Sequence, residues 1–267
     1  MSNTAILFHR RHAGGYARIR DLCITPREPL TITFVQRGTG TLQYSTDDAE
    51  TWTNFVSGQP TPTFATGAHV YLRGNVQPIQ STQWDASGIG TFSATGQFDL
   101  SGCALSLIEE DNWVDNSDIP AYAFGTLFYN CQQLVDASAM VWPSGTAKAF
   151  CCENMFNGCS NLVAFSAMLP SMTLESHCYV SMFRFCGIYT APTLPAITSA
   201  AHCYEYMFNR CNNLSLIRCY LQTFASACTQ NWVLNVSPNG VFYKSSIPTW
   251  TTGQSGIPSD WITINID

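Results

Sequence analysis

Apolar and polar positions alternate with two different periods along the chain, and the change falls near residue 103. Before it, short runs such as LTITF at 30–34 and LQY at 42–44 alternate apolar with polar side chains. Turns rich in Gly, Pro or Asp separate these runs. A period of two with frequent turn residues is typical of the strands of a small sandwich. We therefore predict a β-sandwich-like module over residues 23–102.

The second half of the chain repeats one phrase four times, most clearly as MFNRCNNL at 207–214. Its cysteines, Cys131, Cys159, Cys186 and Cys211, fall 28, 27 and 25 residues apart. A period in the twenties indicates a solenoid, in which each unit is too small to bury its own apolar face and stacks on the next.

A second cysteine precedes each of the last three copies by eight residues, with a methionine midway. Spacings of four and eight place side chains near one stripe of a helix, so we predict a helical turn or two in each repeat. Equivalent side chains should then stack as ladders of buried, reduced thiols, with disulfides or a metal site as the alternatives. The predicted ladder residues are Cys151, Cys159, Cys178, Cys186, Cys203, Cys211, Met155, Met182, Met207, Phe156, Phe183 and Phe208.

The repeat phrase resembles the A-F-x-x-C-x-x-L signature of BspA-type leucine-rich repeats, with Met or Leu in place of Ala. The unit HCYEYMF at 202–208 is similar to variants found in gut Bacteroidales and their phages, and 42–52 with 70–75 resembles the β-module placed before such repeats. The third copy departs from the signature, with Gly187 and Ile188 where x-x-Leu is expected, which leaves its curvature open. The resemblance implies surface adhesion and recognition, in bacterial surface proteins or in phage virion proteins such as fibres.

Together these features predict an α+β fold that is mostly β, divided into four segments. They are an N-terminal arm over 1–22, the β-sandwich-like module over 23–102, a BspA-type leucine-rich-repeat solenoid over 103–235, and a C-terminal cap over 236–267. Strands near 241–243 and 261–264 are predicted to pair and to shield the last repeat, because the end units of a solenoid need a cover.

Charge is scarce and uneven along the chain. Charged residues make up 11% of the sequence, and the net charge is −6. The first 27 residues carry +4, from five arginines against one aspartate, so the other 240 carry −10. Such a body does not attract nucleic acid, and no 18-residue apolar stretch predicts a membrane span. The start of the chain does not read as a secretory signal.

The arm has two interpretations, a disordered terminus or an anchor that orders on a partner. Its apolar residues lie next to arginines, which is unusual for a free tail. The candidate attachment residues are Ile6, Leu7, Phe8, Arg10 and Arg11.

Candidate chemistry is sparse. His177 and His202 precede ladder cysteines one repeat apart, and repetition explains them better than a metal pair does. No phosphate loop or nucleophile elbow is present, so we predict no catalytic residue, no metal ligand and no cofactor. Tyr179 and Tyr204 share a repeat phase: exposed, they would stack on sugar rings, and buried, they would wedge between coils. Burial is the favoured interpretation, and both remain candidate ligand-binding residues.

We therefore predict a non-enzymatic structural or recognition protein, a phage virion fibre or decoration protein assembled in the host cytoplasm. Its predicted partners are other virion proteins through the arm, further copies of itself in a homo-oligomer, and a host-surface glycan or protein, but neither nucleic acid nor membrane. The alternatives are a bacterial cell-surface adhesin and a glycan-cleaving enzyme, which would need two carboxylates facing across a groove.

Overall fold

The computed structural model describes residues 21–81, 87–110, 112–115, 117–247 and 249–266. The arm, including the candidate attachment residues, lies outside the described residues except for its last two positions. The described chain is mostly β with almost no helix. Its elements are β1 (Leu22–Pro26), β2 (Ile32–Gln36), β3 (Leu42–Ser45), β4 (Thr53–Asn54), β5 (Val70–Gly74), β6 (Gly90–Ala94), β7 (Phe98–Gly102), α1 (Ser106–Glu109), β8 (Leu134–Met140), β9 (Ala164–Phe165), β10 (Leu216–Cys219), β11 (Val241–Lys244) and β12 (Ile262–Asn265).

The largest sheet joins the N-terminal strands to the repeats. Its strand order is β4-β3-β5-β1-β7-β8-β9, while β2 and β6 form a separate antiparallel pair. The four pairings from β4 to β7 are antiparallel, and β7–β8 and β8–β9 are parallel. Period-two alternation sets the faces, since Val70 and Leu72 of β5 are buried and Tyr71 and Arg73 between them are not. The predicted boundary at residue 102 therefore falls inside a continuous sheet.

After this sheet the chain winds into a β-solenoid of about five turns. Alternate backbone N–H groups donate to carbonyls of the next turn, in the manner of a parallel sheet. One row of such bonds, 2.7–3.0 Å long, runs from Phe124 to Cys151, Cys152 to Cys178, Tyr179 to Cys203, and Tyr204 to Cys228. Backbone hydrogen bonds thus hold the turns at the separation of neighbouring strands, about 4.8 Å.

The prediction of a helical turn or two in each repeat is wrong. Within the described residues α1 is the one α-helix, and it lies outside the repeated phrase. In the repeats every fourth residue takes a positive φ, as Phe150 (57°), Asn154 (56°) and Gly158 (83°) do in the second turn. α-Helices, about 10–12 Å across with their side chains, cannot stack at strand spacing. The four-residue backbone period nevertheless keeps positions i, i+4 and i+8 on one side, so the side-chain prediction survives without the helix.

That side is the core. The twelve predicted ladder residues have exposures of 0–3%, and every cysteine of the chain is a buried free thiol. A column of phenylalanine rings runs along the solenoid axis, with centroid separations of 5.4, 5.6, 5.8 and 5.8 Å. We call Phe92, Phe128, Phe156, Phe183 and Phe208 the phenylalanine column. Because Phe92 belongs to β6, the column anchors the solenoid in the N-terminal module.

The last turn is covered by tryptophans and a parallel sheet. β10, β11 and β12 pair in that order, with Val241 opposite Ile262 in the register of β11 and β12. The ring of Trp232 is fully buried and stacks on Trp250 at 5.7 Å, and the indole N–H of Trp261 donates to the Ser237 carbonyl at 2.8 Å. These contacts close the C-terminal end of the core.

The shortened third repeat depends on a glycine. A Cβ added to Gly187 would lie 2.5 Å from the backbone carbonyl oxygen of Ser160, and Ile188 takes the buried place that leucine holds in the neighbouring repeats. We expect Gly187→Ala to lower the free energy of unfolding by about 1–3 kcal/mol, since the backbone must shift to admit the methyl group. Urea unfolding measures this. The control is Asn212→Ala, an exposed position in the same repeat phase, with an effect within about 0.5 kcal/mol; equal losses would contradict the close approach.

Candidate anion-binding groove

The two candidate sugar-binding tyrosines lie inside the solenoid. Tyr179 and Tyr204 are each 1% exposed, and their rings are nearly parallel with centroids 6.1 Å apart. Burial raises the pKa of both hydroxyls well above the ordinary value. A ring with no exposed face cannot stack on a saccharide, so their assignment as ligand-binding residues is corrected to a core role.

The two histidines belong to a row of rings on the side of the solenoid. Tyr122, Phe150, His177 and His202 stack in that order at 5.1, 4.5 and 4.6 Å, each at a positive-φ position. Burial, and then the neighbouring His202, lowers the pKa of His177. The Nδ1 of His202 lies 2.7 Å from a carboxylate oxygen of Glu205. Among the described residues no group of three or more His, Cys, Asp or Glu side chains could hold a metal ion.

A groove follows the positions that directly precede the repeat cysteines. Asn130, Gly158, Phe185 and Arg210 hold this place in successive turns, with φ of 57°, 83°, 62° and 63°. Since the following cysteine enters the core, these residues lie at the surface, and Phe185 is 40% exposed. The groove has a volume of 560 Å³ and crosses four turns. Side-chain amides of Asn130, Gln132, Asn157, Asn212 and Asn213 line it.

Two arginines supply the charge of this groove, and no carboxylate balances them. The Cζ of Arg184 lies 4.9 Å from the centroid of the Phe185 ring, and the Cζ of Arg210 lies 5.4 Å from the same centroid. Neither arginine forms an ion pair with any described residue. The Nε of Arg184 is buried without a hydrogen-bond partner in the described part of the chain. Phe185 thus holds two guanidinium groups that the protein does not neutralise.

The groove is equipped to bind and lacks the groups of acid–base catalysis. Of the described residues that line it, none is an aspartate, a glutamate or a histidine. General acid–base chemistry and two-carboxylate glycoside hydrolysis both need such groups. Guanidinium and amide groups instead offer hydrogen bonds to anionic and hydroxylated ligands.

Inspection of the sequence by motif misses this site. Its signal is the residue before each repeat cysteine, which changes from Asn to Gly to Phe to Arg while the core positions stay constant. Only an alignment of the repeats by their cysteines brings Arg184, Phe185 and Arg210 together. Positions that vary on a constant scaffold are where ligand contacts are expected.

Comparison of the chain with protein families, with curated proteins and with solved structures finds no match. In the described residues no helix has both the length and the hydrophobicity needed to cross a bilayer. The function is therefore inferred from the fold and from the groove.

Proposed function

We propose that this chain is a non-enzymatic structural and recognition protein, a phage virion fibre or decoration protein that attaches through its N-terminal arm. In this proposal residues 23–102 form a β-sandwich-like spacer, and residues 103–235 form a BspA-type leucine-rich-repeat solenoid that adheres to a host-surface glycan or protein. The observation that carries the proposal is the four-turn groove with its two unneutralised arginines.

The construction of the solenoid supports a recognition role. The core of each turn is nearly invariant, whereas the residue before each repeat cysteine differs from turn to turn. A scaffold of this kind fixes a surface in place by backbone hydrogen bonds between turns and lets its outer side chains change without loss of the core. Such an arrangement suits adhesion better than turnover, which needs groups that exchange protons with a substrate.

The thiols favour a virion over an exported adhesin. All twelve cysteines are buried and free, and core packing accounts for them without any cross-link. Proteins that fold in an oxidising compartment commonly use cysteines as disulfides, whereas a virion part folds in the reducing interior of its host. No comparable observation favours the glycan-cleaving alternative.

Deleting residues 1–20 is expected to abolish incorporation into particles while the fold stays intact. The cut spares Asp21 and Leu22, because Leu22 starts β1 and is fully buried. Mass spectrometry of particles purified from infected cells would quantify the chain, and circular dichroism with thermal melting would check the fold.

The control for this deletion is the quintuple variant of Ile6, Leu7, Phe8, Arg10 and Arg11 to serine, which keeps the length of the arm. It should fail in the same way if those side chains make the attachment. Normal incorporation of both variants would refute the anchor, and absence of the full-length chain from particles would refute the virion role.

A further inference from the structure

We propose that the groove binds an acidic saccharide, whose carboxylate is held by Arg184 and Arg210 and whose ring lies against Phe185. This deepens the proposed recognition function by naming a ligand class. It rests on that function only for its biological meaning, since the binding itself requires no virion.

The charge of the groove calls for an anion. Arg184 and Arg210 both stack on Phe185, and neither has a carboxylate partner among the described residues. A guanidinium offers a planar fork of donors that matches a carboxylate, and two guanidiniums on one ring leave their outer donors for such a ligand. In a chain of net charge −6 this local excess of positive charge is set against the overall balance.

The surroundings of the arginines select a saccharide from among the anions. Hydroxyl groups both donate and accept hydrogen bonds, and so do the primary amides of Asn157, Asn212 and Asn213 that flank the arginines. Phe185, 40% exposed, offers an apolar face at the same place. A small inorganic anion would use the arginines and leave both the amides and the ring without a role.

The length of the groove favours several sugar units. It reaches from Asn130 in the first turn to Arg210 in the fourth, three turn separations of about 5 Å each. A nucleic acid of that length would bring a run of phosphates toward an acidic protein with only two arginines to meet them. An oligosaccharide with a carboxylate on one or a few units matches both the length and the charge.

Isothermal titration calorimetry of the purified full-length chain tests the inference. The probes are trigalacturonate and α2,8-linked trisialic acid, with the methyl ester of each as a neutral counterpart of the same shape. We expect at least one acid to bind and its ester to bind at least tenfold more weakly. Inorganic phosphate and sulfate form a separate arm, expected to compete only weakly.

Variants assign the binding to the groove. Arg210→Gln, at an exposed position, is expected to weaken binding at least tenfold at an unchanged melting temperature. Phe185→Ser should weaken it as well, which keeps the test valid if substitution of the half-buried Arg184 disturbs folding. The matched control is Arg218→Gln, because that arginine also stacks on an aromatic ring, Tyr243 at 4.6 Å, but lies outside the groove.

Three results would overturn the inference. They are no binding of either acid at millimolar concentration, equal binding of acid and ester, and unchanged binding by Arg210→Gln. Phosphate or sulfate binding as tight as that of the saccharide would show an anion site without saccharide selectivity, which also overturns it. These failures are distinct from failure of the virion role, which is read from particle incorporation alone.

Discussion

Raising the pH from 8 to 10 is expected to remove most of the stability of this protein. Burial raises the pKa of Cys203, Cys211 and Cys219 from the ordinary 9.0 to about 12, and that of Cys131 to about 11. These thiols stay protonated in the folded state while the same thiols ionise in the unfolded chain. The stability they contribute is complete below pH 9 and is lost as the pH rises from 9 through the folded pKa values.

The size of this effect follows from linkage. At pH 10 a thiol that ionises only in the unfolded state lowers the free energy of unfolding by about 1.4 kcal/mol. Four such thiols together give about 6 kcal/mol, comparable with the 5–15 kcal/mol that holds a typical protein folded. The pKa values of Cys151, Cys159, Cys178 and Cys186 are raised well above 9.0 by burial, which adds to the loss.

Urea unfolding under reducing conditions at pH 7, 8, 9 and 10 measures the effect. The midpoint should hold between pH 7 and 8 and fall steeply above 9, with thiolate absorbance appearing only on unfolding. A Cys211→Ala variant is the internal control, because it removes one titrating thiol and should reduce the pH slope by that share. A midpoint unchanged between pH 8 and 10 would contradict the buried, protonated ladders.

The cysteine ladders also show how far the sequence predicts the fold. The spacing of Cys131, Cys159, Cys186 and Cys211 is enough to predict a solenoid with a common core side, because stacked units must repeat their buried positions. The same spacing cannot reveal the backbone, since a four-residue period of positive-φ corners and an α-helix both place i, i+4 and i+8 on one side. Few residue types announce a positive φ: His177, His202 and Phe185 all adopt it here, although glycine is the residue that adopts it freely.

The groove was beyond prediction for a different reason. Arg184 and Arg210 are 26 residues apart and carry no motif, and only the stacking of the third turn on the fourth places both guanidiniums beside the Phe185 ring. The continuity between the N-terminal module and the solenoid was hidden in the same way. β7 and β8 pair in parallel across a long connection, and alternation within each strand does not identify its neighbour.

These features have a common physical origin in the stacking of turns. Turns at strand spacing bury a phenyl ring and two sulfur-bearing side chains on one side, and they align whatever residues occupy the other side into rows. The row of Tyr122, Phe150, His177 and His202 and the groove through Phe185 are two such rows. Recognition by this protein would therefore depend on the integrity of the column beneath the rows.

Replacing the central ring of the column, Phe183→Ala, is expected to lower the free energy of unfolding by about 3–5 kcal/mol. Phe183 is fully buried and stacks on Phe156 and Phe208, each at 5.8 Å, with Phe165 edge-on at 4.6 Å. Its removal leaves a cavity that the hydrogen-bonded turns on either side cannot close. Because each turn contacts only its neighbours, the change also weakens the coupling between the two halves of the solenoid.

Urea unfolding followed by both circular dichroism and tryptophan fluorescence tests this expectation. Tryptophans lie near both ends of the described solenoid, at Trp142 and at Trp232, so uncoupled halves should give transitions that no longer coincide. The control is Tyr189→Ala in the same turn, 56% exposed, expected to change stability by less than about 0.5 kcal/mol. A loss below about 1 kcal/mol for Phe183→Ala, or losses equal in the two variants, would mean that the column does not hold the turns together. The groove and the ring row would then need another support, because both are aligned only as long as the third turn stays in register with the second and the fourth.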